Sequence, residues 1–210
     1  MSTSRLDNFT DAAFAFAVTL LVIGGSEAPT SYAMLSAAVA EVPAFAIGFA
    51  IVAMFWFAHV RWRHFRGAGD WLSSLLTVLL VFLVLIYVQP LRAMARSLSS
   101  VLGGSGVPFR GDVGDLFVVY GAGFVAMAAV TVALFREAQR NPALNEEARS
   151  SVRGEMLIWL ILTATGIVSL TLAAIEATEI IAPMIYATLP ISIGLFTWRY
   201  DWGGRRAKAS

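Results

Sequence analysis

The sequence predicts an all-α membrane protein with six transmembrane helices per subunit and both termini in the cytoplasm. Its composition is the first reason. Of 210 residues, 58% are hydrophobic and 14% are charged, whereas a soluble domain is about half apolar and about a quarter charged. One core of this size cannot hide such an excess, so lipid must solvate it. The other two reasons are six separate apolar runs and a one-sided distribution of basic residues.

The apolar runs predict six spans. They are Asn8–Gly24, Ser36–Val60, Trp71–Val88, Leu116–Phe135, Met156–Ile175 and Ile180–Trp198. Most reach the roughly 20 residues that a helix needs to cross about 30 Å of hydrocarbon. The first is the shortest, because its apolar part, Ala12–Ile23, covers only about 18 Å at about 1.5 Å per residue. A helix this short is poorly matched to lipid and suits a position shielded by longer neighbours.

Glycine, proline and hydroxyl residues predict the breaks between these spans. Gly24–Ser26 ends the first helix, and Pro29-Thr30-Ser31 starts the next one with a hydroxyl cap. Pro43 is expected to bend the second segment, so that Tyr32–Val42 lies at the membrane interface before the true span. Further breaks are predicted at Gly103–Gly106, at Asn141-Pro142 with the polar linker Ala143–Ser151 after it, and at Pro183 and Pro190. No internal repeat is seen, so residues 1–210 are predicted to form a single channel-like domain.

The basic residues predict the orientation. Twelve of the 15 Lys and Arg residues lie on one side of the spans: Arg5, Arg61, Arg63, Arg66, Arg136, Arg140, Arg149, Arg153, Arg199, Arg205, Arg206 and Lys208. Only Arg92, Arg96 and Arg110 lie on the other side. Because positive residues accumulate in cytoplasmic loops, both termini are placed in the cytoplasm. The same count supports an even number of spans, independently of hydropathy.

Several function classes are disfavoured. A net charge of +1 gives no nucleic-acid surface, and the absence of cysteine excludes disulfides and thiol chemistry. His59 and His64 are the only histidines, and they lack acidic or cysteine neighbours at ligand spacing. We also find no nucleophile triad, phosphate loop or paired-carboxylate site. We therefore expect no metal, no cofactor and no enzymatic activity.

The first helix carries a continuous apolar stripe. At about 100° per residue, one face holds a set of mainly large apolar side chains with Thr19 at its edge: Phe9, Ala12, Phe16, Leu20 and Ile23. Asp7 and Asp11 point away from this face, toward neighbouring helices. Taken alone, such a stripe is better explained by ordinary helix packing, because membrane helices are apolar all round and periodicity here is weak evidence.

The carboxylates at the start of this helix are more informative. Asp11 directly precedes the apolar run, and a carboxylate at the membrane boundary is costly unless it has a partner. Helix-start chemistry accounts for part of the pattern, since the helix dipole favours anions there. The remainder indicates a buried polar network, for which Arg5, His59 and Arg63 are the available partners. We interpret this helix as the pore-lining helix of an ion channel.

The same residues carry a family resemblance. Arg5-x-x-x-Phe9-Thr10-Asp11, followed by Ala12–Ile23, resembles the signature of the transmembrane protein 175 family, which reads Arg-x-x-x-Phe-Ser-Asp before an alanine-, isoleucine- and threonine-containing run. A second match is Trp56-x-x-His59, where the family tends to carry Trp-x-x-His. The family consists of potassium-permeable channels of endolysosomes and their bacterial relatives.

The resemblance implies a homotetramer in the bacterial inner membrane, with four first helices around the axis and K⁺ as the permeant ion. The family's constriction is apolar. Counted from Asp11, the narrow ring would be Phe16 and the threonine ring Thr19, with Leu20 and Ile23 continuing the lining outward. The residues implied to form the network that fixes this helix are Arg5, Phe9, Thr10, Asp11, Trp56 and His59. Lipid, monovalent cations and other copies of the chain are then the expected partners.

Two residues depart from the family's pattern. Thr10 replaces serine and keeps the hydroxyl. Phe16 replaces isoleucine or leucine, and a ring of phenylalanines is bulkier, so its side chains must rotate away to open. Two other functions stay open at this point: a proton-coupled secondary transporter, and a membrane scaffold that transports nothing.

Overall fold

The described part of the chain is helical. The computed structural model describes residues 3–23, 28–67, 69–101, 113–175, 185–186 and 188–200, and no β-strand occurs among them. The helices are α1 (Thr3–Ile23), α2 (Tyr32–Ala40), α3 (Val42–Arg66), α4 (Trp71–Val101), α5 (Val113–Ala138), α6 (Glu146–Ala173) and α7 (Leu189–Arg199). The predicted all-α class is confirmed.

Four of these helices are long and apolar enough to cross a membrane. They contain the candidate spans Val42–Arg66, Trp71–Ser97, Gly114–Ala138 and Glu146–Ala173. The 21 residues of α1 would cover about 31 Å at about 1.5 Å per residue. The described part of α7 has 11 residues, and the preceding residues 180–184 and 187 lie outside the described part. The count of six spans therefore stays a prediction.

The break before the second predicted span is confirmed. The Ser31 side chain accepts a hydrogen bond from the backbone N–H of Met34 and caps α2. Glu41 then ends α2 and begins α3, with Pro43 in the first turn of α3. Proline is tolerated there because the first helical N–H groups have no partner within the helix. The predicted breaks at Gly24–Ser26 and Gly103–Gly106 lie outside the described residues.

Two helices are longer than the apolar runs predicted. α4 continues beyond Val88 to Val101 with Pro90 inside it. The predicted polar linker over Ala143–Ser151 is wrong from Glu146 onward, because α6 begins there. Asn145 caps that helix by accepting from the backbone N–H of Ala148 at 2.8 Å. The charged residues after the cap form a helical turn at the membrane edge, where water solvates them.

The helix α3 lies centrally in the fold. It packs against α1, α4, α5 and α6. At its middle, the buried Phe55 ring lies 5.8 Å from the ring of Phe124 on α5 and 5.1 Å from that of Trp159 on α6. Aromatic pairs at such separations add to the free energy gained by packing. By contrast, α7 packs on α6.

Contacts place both ends of the described chain at the same end of the bundle. Asp7 near the start of α1 pairs with Arg63 near the end of α3. The Asn141 amide donates to the Phe65 carbonyl at 2.8 Å, so the end of α5 lies there too. The Tyr200 hydroxyl, just after α7, donates to the carbonyl of Ser150 in the first turns of α6. We call this the basic end, because Arg61, Arg63, Arg66, Arg149 and Arg199 lie there.

Asp70 caps the next helix at the basic end. Its carboxylate accepts from the backbone N–H of Ser73 at 2.9 Å, and this hydrogen bond lowers the pKa of Asp70. Because the pKa is depressed, the stabilisation is present above the unfolded-state pKa and is lost as the pH falls through the folded-state pKa. We expect Asp70→Ala to lower the free energy of unfolding by about 1 kcal/mol, while Asp70→Asn keeps the cap. The heat resistance of each purified variant at neutral pH measures these effects. If Asp70→Ala and Asp70→Asn lost the same stability, the capping role would be contradicted.

Candidate functional site

The first helix has one face buried in its own subunit. Thr10, Phe14, Ala17 and Leu21 are buried there, against α3 and α4. Near the far end of α1, Leu21 packs on Gly48 of α3, where an added Cβ would lie 3.1 Å from Leu21 Cδ2. The glycine thus allows α1 and α3 to approach closely. This packing fixes which side of α1 points away from the subunit.

The opposite face of α1 is exposed on the isolated subunit. Phe9 and Phe16 are 53% and 56% exposed, and Ala12 and Thr19 are exposed on the same side. Leu20 is only partly exposed and packs against the core. Thr19 thus belongs to the exposed face itself, and Leu20 lies at its flank, the reverse of the sequence-based assignment. The side chain of Ile23 lies outside the described residues.

This exposed face combines the large apolar side chains of Phe9 and Phe16 with polar and small ones, namely Asn8, Ala12, Ala15 and Thr19. Elsewhere the large exposed apolar side chains include Phe49, Phe57, Leu75, Phe82, Ile86, Val119, Leu160 and Ile167. Large apolar side chains suit contact with lipid, whereas polar and small residues in membrane helices mark helix interfaces or water-filled paths.

Both carboxylates of α1 have partners on α3. The indole Nε1–H of Trp56 donates to Asp11 Oδ1 at 2.8 Å. One turn earlier, the Asp7 carboxylate accepts from Arg63 Nε at 2.8 Å and 3.1 Å, through Oδ1 and Oδ2. The expectation that these carboxylates point toward neighbouring helices is met, and both are partnered as their cost at a membrane boundary requires.

The other residues of the predicted network lie apart from Asp11. His59 is buried and its Nε2 lies 3.3 Å from Thr77 Oγ1 of α4, while its ring stands 5.1 Å from that of Trp62. Thr10 is buried, and its hydroxyl donates to the Leu6 carbonyl at 2.8 Å. Arg5 is exposed and begins the face that carries Phe9. The structure thus joins Asp11 with Trp56 and places His59 between α3 and α4.

Two buried acids at the basic end were not singled out from the sequence. Glu137 of α5 pairs with Arg66 and accepts from the Ser73 hydroxyl at 2.9 Å. Glu155 of α6 pairs with Arg61. The signal for them was a charged residue beside a long apolar run, the same signal that marked Asp11. Among residues that the structure describes, no group of three histidine, aspartate or glutamate side chains could hold a metal ion.

The comparison with known proteins bears on the whole of this site. Residues 5–90 match the family described as endosomal/lysosomal potassium channel TMEM175. That range contains α1 from Arg5 onward, all of α2 and α3, and every residue of the site from Arg5 to His59. Over this part of its length the chain is similar to the TMEM175 family. The family resemblance drawn from the Arg-x-x-x-Phe-Thr-Asp motif is therefore confirmed.

Two proteins named potassium channels extend this finding. A potassium channel of Marivirga tractuosa is 39% identical over 101 residues, which cover 48% of this chain and 40% of that protein. The aligned part thus spans less than half of the relative's length. The crystal structure of a variant of the potassium channel MtTMEM175, in complex with a nanobody–MBP fusion, superposes with a TM-score of 0.78 at 26% identity. That match covers 98% of this chain and 94% of the other.

The match to a membrane channel family and the apolar helices together identify an integral membrane protein. A channel family is also consistent with a role outside enzyme catalysis.

Proposed function

We propose that the protein is a potassium-permeable cation channel in which copies of α1 surround the ion path. The observation that carries this proposal is the exposed face of α1, with Phe9, Ala12, Phe16 and Thr19 in line along it. One subunit leaves this face uncovered, and its polar and small residues suit neither lipid nor a dry core. The relatives named potassium channels supply the ion.

The proposed path is formed by a homotetramer, the assembly that the family resemblance implies. Phe16 forms the narrow apolar ring, and Thr19, about one turn further out, forms the next ring. Leu20 and Ile23 flank the ion path where it continues outward from the Thr19 ring. A narrow apolar ring blocks ions by excluding water until it widens. K⁺ sheds water at lower cost than Na⁺, so a dehydrating neck favours K⁺.

The local hydrogen bonding of Thr19 suits this role. Its hydroxyl donates to the Ala15 carbonyl at 2.9 Å. Because the proton is used within the helix, the hydroxyl oxygen presents its lone pairs outward, as a cation requires. Oxygen atoms that replace part of the hydration shell contribute selectivity.

The proposed topology has six spans, with both termini in the cytoplasm of a bacterial inner membrane. The described ends of the chain lie at the same end of the bundle, which supports an even number of spans. The arginines Arg61, Arg63, Arg66, Arg149 and Arg153 collect near that end, as cytoplasmic positions do.

Ion flux into liposomes tests the proposal. In Thr19→Ala, we expect the K⁺/Na⁺ flux ratio to fall about two- to tenfold, the range that corresponds to about 0.5–1.5 kcal/mol for one lost hydroxyl contact. Thr171→Ala is the matched control, because the Thr171 hydroxyl also donates within its helix, to the Val168 carbonyl at 2.8 Å, and is exposed on α6. We expect this control to keep the wild-type ratio.

Three other results of these flux measurements would contradict part or all of the proposal. An unchanged ratio in Thr19→Ala would remove Thr19 from the selective part of the path. Saturable flux driven by a proton gradient would contradict the channel proposal and favour a proton-coupled transporter. Absence of any flux from correctly assembled protein would favour a scaffold.

A further inference from the structure

The last turns of α3 carry three arginines that reach three different helices. Arg61 pairs with Glu155 of α6, Arg66 with Glu137 of α5, and Arg63 with Asp7 of α1. Of these three pairs, only Arg63–Asp7 connects α3 to α1. Asp7 occupies an unspecified position of the Arg-x-x-x-Phe-Thr-Asp motif and Arg63 lies outside both motifs, so the family resemblance assigns them no role.

The Arg63 guanidinium ties α1 to a rigid part of α3. Its Nε bonds both carboxylate oxygens of Asp7, and its Nη1 donates to the Gly67 carbonyl. Gly67 in turn donates its backbone N–H to the Arg63 carbonyl at 3.3 Å and has a φ of 66°, which ends the helix. The side chains of Arg63 and Asp7 are 19% and 33% exposed, so water screens the pair less than a surface pair.

Asp7 and Asp11 lie one turn apart on the same flank of α1. Their partners Arg63 and Trp56 likewise share a face of α3, because they are seven residues apart. This flank lies between the buried face of α1 and the face that carries Phe16 and Thr19. A rotation of α1 about its axis that moves Phe16 therefore changes the Asp7–Arg63 distance as well.

We propose that the Asp7–Arg63 ion pair is a positioning pair that sets the rotation of α1, and with it the side chains that face the ion path. This inference rests on the proposed function, since it concerns the face of α1 assigned to that path. Trp56 and Asp11 form the second attachment, and the contact of Leu21 with Gly48 forms the third, near the other end of the helix.

Thiol accessibility tests this proposal without relying on ion flux. The chain has no cysteine, so Thr19→Cys and Leu20→Cys each introduce a single thiol, one on the exposed face and one at its flank. With Asp7→Asn or Arg63→Gln added, we expect their rates of reaction with a water-soluble thiol reagent to change in opposite directions by about threefold or more. Opposite changes report rotation, whereas general loosening would raise both rates.

The matched control is the Arg61–Glu155 pair, which lies in the same turns of α3 but does not contact α1. Glu155→Gln is expected to leave both thiol rates unchanged, and the reciprocal exchange Asp7→Arg with Arg63→Asp to restore them. Unchanged rates in Asp7→Asn and Arg63→Gln, or equal changes in Glu155→Gln, would overturn the positioning role. If Thr19→Cys in the wild-type background does not react, the proposed function fails instead, because this face then does not meet water.

Discussion

Phe16→Ala is expected to raise the basal K⁺ flux of reconstituted protein by about tenfold or more. Phe16 and Phe9 are the two largest side chains on the exposed face of α1, and Phe16 is 56% exposed on the isolated subunit. Its removal from every copy widens the proposed neck and takes away the apolar surface that excludes water. A tenfold change requires only about 1.4 kcal/mol off the barrier.

The matched control for this variant is Phe82→Ala. Phe82 of α4 is 57% exposed, almost the same fraction as Phe16, but it lies on a face made of large apolar residues. We expect Phe82→Ala to leave the flux within about twofold of wild type, since a surface substitution costs little. Equal flux in the Phe16 and Phe82 variants would show that the neck lies elsewhere.

Glu137→Ala is expected to cause the largest loss of stability, about 3–5 kcal/mol in the free energy of unfolding. Glu137 is buried, and it pairs with Arg66 and accepts from the Ser73 hydroxyl. Its removal takes from the Arg66 guanidinium, whose side chain is 14% exposed, a carboxylate that lies closer to it than that of Asp70. Heat resistance of the detergent-purified protein measures the loss.

Two further variants distinguish the cost of leaving one buried charge without its partner from the cost of losing the ion pair as a whole. In Arg66→Met combined with Glu137→Leu, neither charge is left buried, so this double variant is expected to be more stable than Glu137→Ala. Asp70→Asn removes the more exposed partner of Arg66 and keeps the helix cap, so its effect should stay below about 1 kcal/mol. A loss in Asp70→Asn as large as in Glu137→Ala would contradict the importance of burial.

Much of the fold follows from local chemistry. The apolar runs predicted where α1, α3, α4, α5 and α6 lie, because lipid demands long uninterrupted apolar helices. Ser31 and Pro43 predicted the cap and the break between α2 and α3. The start of α6 was missed because its first turns are charged, and charge alone does not distinguish a linker from a helix that projects beyond the membrane.

The candidate site was predicted less completely. The sequence supplied Asp7 and Asp11 with Arg5, His59 and Arg63 as possible partners and left the pairing open. The structure pairs Arg63 with Asp7 and Trp56 with Asp11. It places His59 within hydrogen-bonding distance of Thr77 instead. It also moves Thr19 into the exposed face and Leu20 toward the core. The Asp7–Arg63 pair joins residues 56 positions apart, which no local pattern specifies.

The sequence by itself determined that this protein is a helical membrane protein, and the Arg-x-x-x-Phe-Thr-Asp motif determined which family it resembles. Both depend on composition and short spacing, which the chain carries whatever its packing. Only the tertiary structure decided which face of α1 is covered by its own subunit and which carboxylate meets which partner. A helix that is apolar on all sides has no preferred orientation of its own, so its rotation is set by contacts such as Leu21 with Gly48 and Asp7 with Arg63.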